Sequence, residues 1–579
     1  MKNFKNTRKA LLALALSSAT VLNAAACGGG GTESSSTSNV PNDLGGPQDL
    51  QILLLYKGYQ DEWLDAVIDL FEQEDWVKAK YPQLNVKKTI DGTDSLPVNK
   101  LNGGASLNEY DLIFSVNLKG YEGGGITADL TDSVYLSEVP GEPGVKVKDK
   151  IEDFTLEYAK GSSTKIKERE DGENSYYIVN YIKGCGGILY NEDLLNKLGK
   201  ELPLTTMQFR DLCHYVTDTG YTYELAGRTF ESNAAIMAAS ETGYWAPAFP
   251  VWWAQYEGFE EFENFYYGIY DGVRSSRVLT QKGRLRALEE LEYIFRSGCA
   301  YEYMTTTDYL DAQTNFASGE GLFHYIGDFY DSEMRSTRKS LKDNYGIDYN
   351  LKYMKTPVIS SIVEKLELYE EKGTEYTDLS EERQREYDAI LAGIIKDIDN
   401  DKLYDESESK TKGISKKDFE KIVLARSIQL ATEGMAQSAV VPDYASAKEL
   451  AFDFLRFMYT DKAIKAFAIA SEGTIFPVKY DYLGDEEVYN ALSSISKSKL
   501  EIYNGTSNYP TQMMPSPSCY PLGAAGLVGM SSLAGSYELA FSMQEGELIT
   551  AKYLYEADIQ YWNETVWNQM LARAGLKAW

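Results

Sequence analysis

Two histidines, His214 and His324, are all that the 579 residues contain, so imidazole catalysis and histidine-rich metal sites have almost no raw material. Cysteine is scarce as well: Cys27, Cys185, Cys213, Cys299 and Cys519 are the complete set. No two of them form C-x-x-C, which leaves zinc knuckles and thioredoxin-type redox chemistry unsupported. The last four read most simply as buried reduced thiols, with disulfides left open. Basic residues are outnumbered 57 to 87, for a formal charge of −30, so a nucleic-acid partner would meet strong repulsion. Beyond the N-terminus no apolar run has the length of a membrane span.

What is present is an ordinary globular composition, 43% hydrophobic and 25% charged, in a chain long enough for about two to four domains. Aromatics make up 13%, with 44 tyrosines, each offering a flat apolar face and a polar tip. The opening "MKNFKNTRKALLALALSSATVLNAAAC" carries Lys2, Lys5, Arg8 and Lys9 before an apolar run too short to span a membrane. Ala24, Ala25 and Ala26 then lead to Cys27, which resembles a bacterial lipobox with alanine where leucine is usual. The resemblance implies removal of a signal peptide, residues 1–26, and diacylation of Cys27. Residues 27–47 are then a lipid-anchored flexible linker with a reach of about 25 Å, on the outer face of the cell membrane.

Periodicity predicts strands at "QILLLY" (51–56), "LNVKKTI" (84–90) and "YDLIFSV" (110–116), with a helix over "DEWLDAVIDLFEQED" (61–75). "DGENSYYIVNYIKG" (171–184) reads as a hairpin, helices are predicted at 205–217 and 282–298, and "FASGEGLFHYIGDFYDSEM" (316–334) as turn, strand and helix start. Strands alternating with helices imply an α/β protein with ligand-facing loops at the carboxyl ends of the strands.

Four stretches in order resemble the extracellular solute-binding proteins of bacterial carbohydrate ABC transporters, the maltose-binding-protein-like group. They are "YDLIFSV" followed by "GGGITADL", "GGILYNEDLLNKLGKELPLTTMQF", "FASGEGLFHYIGDFY" and "AVVPDYASAKELAFDFLRFMYTDKAIKAFAIASEGTIFPVK". The resemblance implies a two-lobed α/β fold closing about hinge crossovers. Lobe one would comprise 48–181 and 443–510, and lobe two 184–440 and 515–579, with crossovers near Lys183, Pro442 and "MMPSPSCYP" (513–521). It further implies a monomer that binds a carbohydrate, in all expectation an oligosaccharide, and passes it to ABC permease subunits without cofactor or turnover. A surface glycoside hydrolase and a binder of a non-sugar solute are the alternatives. No hydrolase-like motif frames any carboxylate pair, and the cleft loops hold few of the fixed cations that a charged solute would need.

About 362–437 is longer than the connection usual in the family, and its charge-rich helical pattern predicts a surface insertion on lobe two. Within it Asp397, Asp399, Asp401, Asp405 and Glu408 occupy positions 1, 3, 5, 9 and 12 of an EF-hand-like loop. Lys402 replaces the glycine of the sharp turn, so a solvated acidic loop is the plainer reading and calcium the alternative. No other metal site is expected.

Ligand contacts are expected where loops meet the cleft: Tyr56, Lys57 and Tyr59 after the first strand, and Asn117 and Lys119 after the third. Lys183 and Tyr520 stand at crossovers, and Asp328 and Tyr330 follow "LFHYIG". "YWAPAFPVWW" (244–253) puts five rings into ten positions. Pro247 and Pro250 argue against a helix, so the segment reads as a stiffened loop offering stacking platforms to a sugar. Trp245 is one candidate. Trp252 and Trp253, on opposite sides of an extended backbone, would supply one cleft ring and one core anchor.

Overall fold

The computed structural model describes residues 48–577 except 57, 94, 117, 162–168, 185, 240–247, 409–412, 433–436, 516 and 528–548. Cys27 and the whole leader lie outside the described residues, as do Lys57, Asn117 and Trp245.

Among the described residues eleven strands build two principal sheets: β1 (Asp49–Leu55), β2 (Asn85–Asp91), β3 (Leu112–Val116), β4 (Val179–Asn180), β5 (Gly186–Asn191), β6 (Ile236–Met237), β7 (Phe323–Gly327), β8 (Leu351–Met354), β9 (Ile428–Thr432), β10 (Gln437–Val440) and β11 (Gln512–Pro515). The first sheet runs β2-β1-β3-β10-β4. Its parallel centre pairs Leu53 with both Thr89 and Ile113, and β10 joins antiparallel, Ala439 opposite Phe114. Leu50, Ile52, Leu53 and Leu54 are all buried, as a strand covered on both faces requires. The second sheet runs β11-β9-β5-β7-β6, with β8 also on β5.

Helix α1 (Glu62–Gln73) forms where its spacing predicts, and buries Trp63, Leu64, Val67, Ile68 and Phe71 on one face. Helix α2 (Thr206–Thr219) starts at Thr205, whose hydroxyl accepts the Gln208 N–H. The aromatic segment departs from expectation: Ala248–Glu257 is a helix, α3. Pro250 sits in its first turn, where backbone N–H groups have no partner within the helix and a proline removes nothing. Trp252 and Trp253 are both fully buried, because neighbouring helical residues diverge by about 100° rather than pointing to opposite sides. The Trp252 indole donates to the Pro357 carbonyl at 3.2 Å. The Trp253 ring meets Phe262 and Phe265 of α4 (Phe259–Tyr267) edge-on at 4.9 and 4.6 Å. Neither ring is a cleft platform; both are core.

Helix α5 (Lys282–Arg296) packs on α3 and carries Arg284, which forms a fully buried ion pair with Asp558. The insertion is not a surface appendage. Its helices α6 (Glu381–Asp399) and α7 (Lys416–Ser427) bury Leu391, Ile394, Ile395, Phe419 and Ile422, and α7 packs on α3. Asp388 of α6 accepts hydrogen bonds from Thr205 Oγ1 at 2.8 Å and Ser360 Oγ at 2.7 Å, and burial pushes its carboxyl up to about 6. A charge-rich pattern marked the exposed faces of these helices and said little about the buried ones.

The acidic loop does not gather its carboxylates. Asp399 pairs with Arg426 and Lys355, both at 2.7 Å, and these cations hold it below the usual carboxylate range against its burial. Asp397 pairs with Lys402 at 2.9 Å, Asp401 accepts the Asn508 N–H at 2.9 Å, and Asp405 accepts from Ser407. Glu408 is exposed. Among the described residues no group of three or more His, Cys, Asp or Glu is disposed to hold a metal ion.

Two further segments sit differently from the expected lobes. Strand β10 lies in the first sheet, although the lobe boundary was expected after it. Helix α8 (Ser494–Asn504) packs on β8 of the second sheet: Ser498 Oγ accepts the Tyr353 N–H at 2.8 Å, and Ser494 Oγ donates to Leu351 O at 2.9 Å. Of the expected hairpin at 171–184, only the two-residue β4 and a bridge between Lys160 and Tyr176 form.

Candidate functional site

The turn after β1 faces the segment that follows β7, and of the expected site residues Tyr59 and Asp328 meet at this junction of the two sheets. The turn after β1 passes close to that segment at Gly58, whose φ is +77° and where a Cβ would stand 3.0 Å from the Phe329 Cβ. Beside it the Tyr59 hydroxyl donates to Asp328 Oδ1 at 2.8 Å, and Lys499 Nζ reaches Asp328 Oδ2 at 3.2 Å. Lys499 also donates to Gly473 O at 3.0 Å, and Gln60 Nε2 to Ser332 O at 3.3 Å. Tyr59 and Asp328 therefore bond each other across the junction and act as a fastening between the sheets. Tyr56 stays 40% exposed, its hydroxyl donating to Gln60.

Removing that fastening is a direct test of its role. Tyr59→Phe should weaken the contact between the two sheets by about 0.5–1.5 kcal/mol and, if the lobes open as proposed below, shift them twofold to tenfold toward the open state. Small-angle scattering of the ligand-free protein reads this as a larger radius of gyration; an unchanged profile would show that the bond does not hold the sheets together.

Lys119 joins a second cluster. Its ammonium lies 4.3 Å from the centre of the Tyr158 ring and donates to the Tyr158 carbonyl, and burial lowers its pKa. The charges of Glu122 and Glu157 oppose that shift. The third crossover carries Cys519 and Tyr520. In that crossover Tyr520 is buried, stacks on Tyr266 at 5.6 Å with an interplanar angle of 12°, and donates to Glu263 Oε1 at 3.1 Å. Burial raises the Glu263 carboxyl. Tyr267 stands edge-on to Tyr520 at 5.6 Å, keeps 39% of its surface exposed, and feels the charges of both Glu263 and Glu157. Tyr266, Tyr267 and Glu263 of α4 thus meet Tyr520 of the third crossover in a partly exposed edge of tyrosines and a carboxylate. Such an edge can hydrogen-bond hydroxyls and pack a flat apolar face.

The remaining expected residues do other work. Tyr330 is fully buried, its hydroxyl 3.4 Å from Gln313 O and its ring edge-on to Phe316 at 6.2 Å. Lys183 is held at its crossover by Glu152 at 2.8 Å and by the Tyr503 ring at 4.9 Å. Tyr158, Tyr267 and Glu263 were not foreseen. They lie inside ordinary helical sequence, "DFTLEYA" and "FEEFENFYY", where nothing local distinguishes a cleft-facing tyrosine from a packed one.

No family model and no curated protein sequence matches the chain. Its fold, in contrast, matches solved structures over nearly their whole length. A protein of xylan utilization from the thermophilic bacterium Caldanaerobius polysaccharolyticus aligns with a TM-score of 0.51 at 10% identity, covering 89% of this chain and 100% of that one. A probable secreted solute-binding lipoprotein from Streptomyces coelicolor aligns at 0.52 and 13%, covering 89% and 98%. The bacterial solute receptor AcbH, with an exclusive preference for β-D-galactopyranose, aligns at 0.50 and 12%, covering 90% and 98%. The chain has the two-lobed α/β fold of the bacterial extracellular solute-binding proteins.

Proposed function

We propose that the protein is a carbohydrate receptor that closes its two lobes on an oligosaccharide and delivers it to an ABC permease. What carries this reading is the match of about nine-tenths of the chain to solute-binding structures, supported by the tyrosine edge of Tyr267 and Tyr520 and by Lys119 over the Tyr158 ring. Tyrosine faces suit the C–H face of a pyranose, and the lysine and carboxylates suit its hydroxyls. The receptor works as a monomer, without cofactor and without turning over its ligand. Cys27 anchors it by lipid outside the cytoplasm, a reading supported by the basic, apolar and small-residue order of residues 1–27. Among the described residues no helix is long and apolar enough to cross a membrane.

The test is a thermal-shift screen over gluco-, xylo-, manno- and galacto-oligosaccharides. At a hundredfold excess over Kd a true ligand adds about 2.7 kcal/mol of stability. Product analysis in the same tubes should recover the oligosaccharide intact; cleavage would make the protein an enzyme, and no shift with any sugar would reject the receptor reading. With the ligand in hand, Tyr267→Ala should weaken binding by about 1–3 kcal/mol, as loss of an aromatic stacking face does in nucleic-acid sites. Its melting temperature should hardly change, because the ring is half exposed.

A further inference from the structure

The helix Asp461–Ala470 belongs to the first lobe, where it packs on α1 with the Phe467 ring centre 4.7 Å from that of Trp63. The turn that ends it is sharply bent: Glu472 takes φ +55°, rare for a residue with a side chain, and Gly473 follows at +116°. The bend brings three successive carbonyls against the second lobe. Arg335 Nη2 donates to Ser471 O, Ser496 Oγ stands beside Glu472 O, and Lys499 Nζ donates to Gly473 O, each at 3.0 Å. These carbonyls lie at the negative end of the helix, and two of their three partners are cations. At Gly473 a Cβ would overlap Ser496 Oγ, so the lobes touch there as closely as backbone allows.

The two cations differ in exposure. Lys499 and its partner Asp328 are 3% and 1% exposed. Arg335 opens the helix Arg335–Tyr345 and is 24% exposed. It stands 3.2 Å from Glu472 Oε2 and 3.7 Å from Glu62 Oε1 of α1, two carboxylates that keep about half their surface in water. Both of these carboxylates belong to the first lobe, whereas Arg338 and Lys339 of the same helix pair with Asp331 and Asp343 of their own lobe.

We propose that Arg335 is an ionic latch between the lobes, holding the empty cleft shut and releasing it as ionic strength rises. The opening that it restrains rests on the receptor reading above, in which the lobes part to admit a ligand. Salt screens a pair open to water far more than a buried one, so Arg335 is the contact that the surroundings can weaken while Lys499 and Asp328 stay joined. A pair of this exposure shifts the open-to-shut ratio about twofold to fivefold. Because ligand enters only the open form, the latch sets the rate of entry.

Amide hydrogen exchange of the ligand-free full chain reads the latch, since amides covered at the junction exchange in proportion to the fraction of open molecules. At low salt Arg335→Gln, and Glu472→Gln from the opposite side, should speed exchange in peptides spanning 58–62 and 328–335 about twofold to fivefold. The double variant should add little, because both changes remove one pair. High salt should bring the unaltered protein to the rate of the variants, and Lys339→Gln should exchange as the unaltered protein does. Gly473→Ala keeps every charge and forces the lobes apart at Ser496, so it should speed exchange as well. Unchanged exchange in Arg335→Gln, with Gly473→Ala faster, would overturn the latch and leave lobe opening intact; unchanged exchange in both would overturn the opening and the latch together. Faster exchange in the β3 peptide (112–116) of Arg335→Gln would reveal general loosening and reject the latch. No sugar enters the measurement, so its failure is distinct from a failed oligosaccharide screen.

Discussion

Trp253→Ala costs the protein about 3–5 kcal/mol of unfolding free energy and leaves affinity for the proposed oligosaccharide ligand unchanged, the outcome for a large core ring replaced by a void. The indole is enclosed by Phe249, Phe262, Phe265 and Tyr266, all with ring centres within 5.9 Å. Its N–H donates to Gln281 Oε1 at 2.9 Å. At Gly283 of α5 a Cβ would stand 2.9 Å from Trp253 Cδ1, so the two helices are as close there as a glycine allows and cannot collapse further into the vacancy. Urea denaturation with ligand titration decides the matter. A variant that melts normally but binds weakly would return the ring to the cleft, against the burial seen here.

Asp558→Ala has a comparable cost by a different mechanism, about 3–5 kcal/mol, because it leaves a buried guanidinium without its counter-charge. The Arg284 side chain is 0% exposed and Asp558 1%. Asp558 Oδ1 also accepts the Trp562 indole N–H at 3.2 Å, and Arg284 donates to the Leu279 carbonyl. The pair docks the helix Ala551–Tyr561 onto α5, so its loss loosens the C-terminal end of the second lobe. Replacing both partners by apolar groups, Arg284→Met with Asp558→Leu, should recover most of the stability, since no charge then remains buried. Equal destabilisation of the single and double variants in guanidinium melts would show that packing and not charge is at stake.

Much of the first lobe was legible locally. A run of leucines bounded by turns gives β1, and apolar residues at helical spacing give α1 within one or two residues of its ends. The ordered motifs also pointed to a two-lobed fold that no sequence family model registers. These features depend on near neighbours in the chain, and periodicity reports them faithfully. Pro250 in "YWAPAFPVWW" misled because a proline in the first helical turn and a proline in a loop look alike in sequence. Only the position of the helix start separates them.

The candidate site was far less readable. Sequence placed Tyr59 and Asp328 near a cleft, but not that they would bond each other across 269 positions. It marked Tyr520 yet passed over Tyr267, its exposed neighbour on a different helix. Composition and periodicity by themselves determined an acidic α/β chain with a lipobox-like leader, and the two lobes were what the resemblance of its ordered motifs implied. Which sheet receives β10, which tyrosines stand beside Tyr520 and why the insertion is core were decided by tertiary structure. An apolar or charged residue specifies in its own sequence only that it needs a partner, and the partner is chosen by packing across the whole chain.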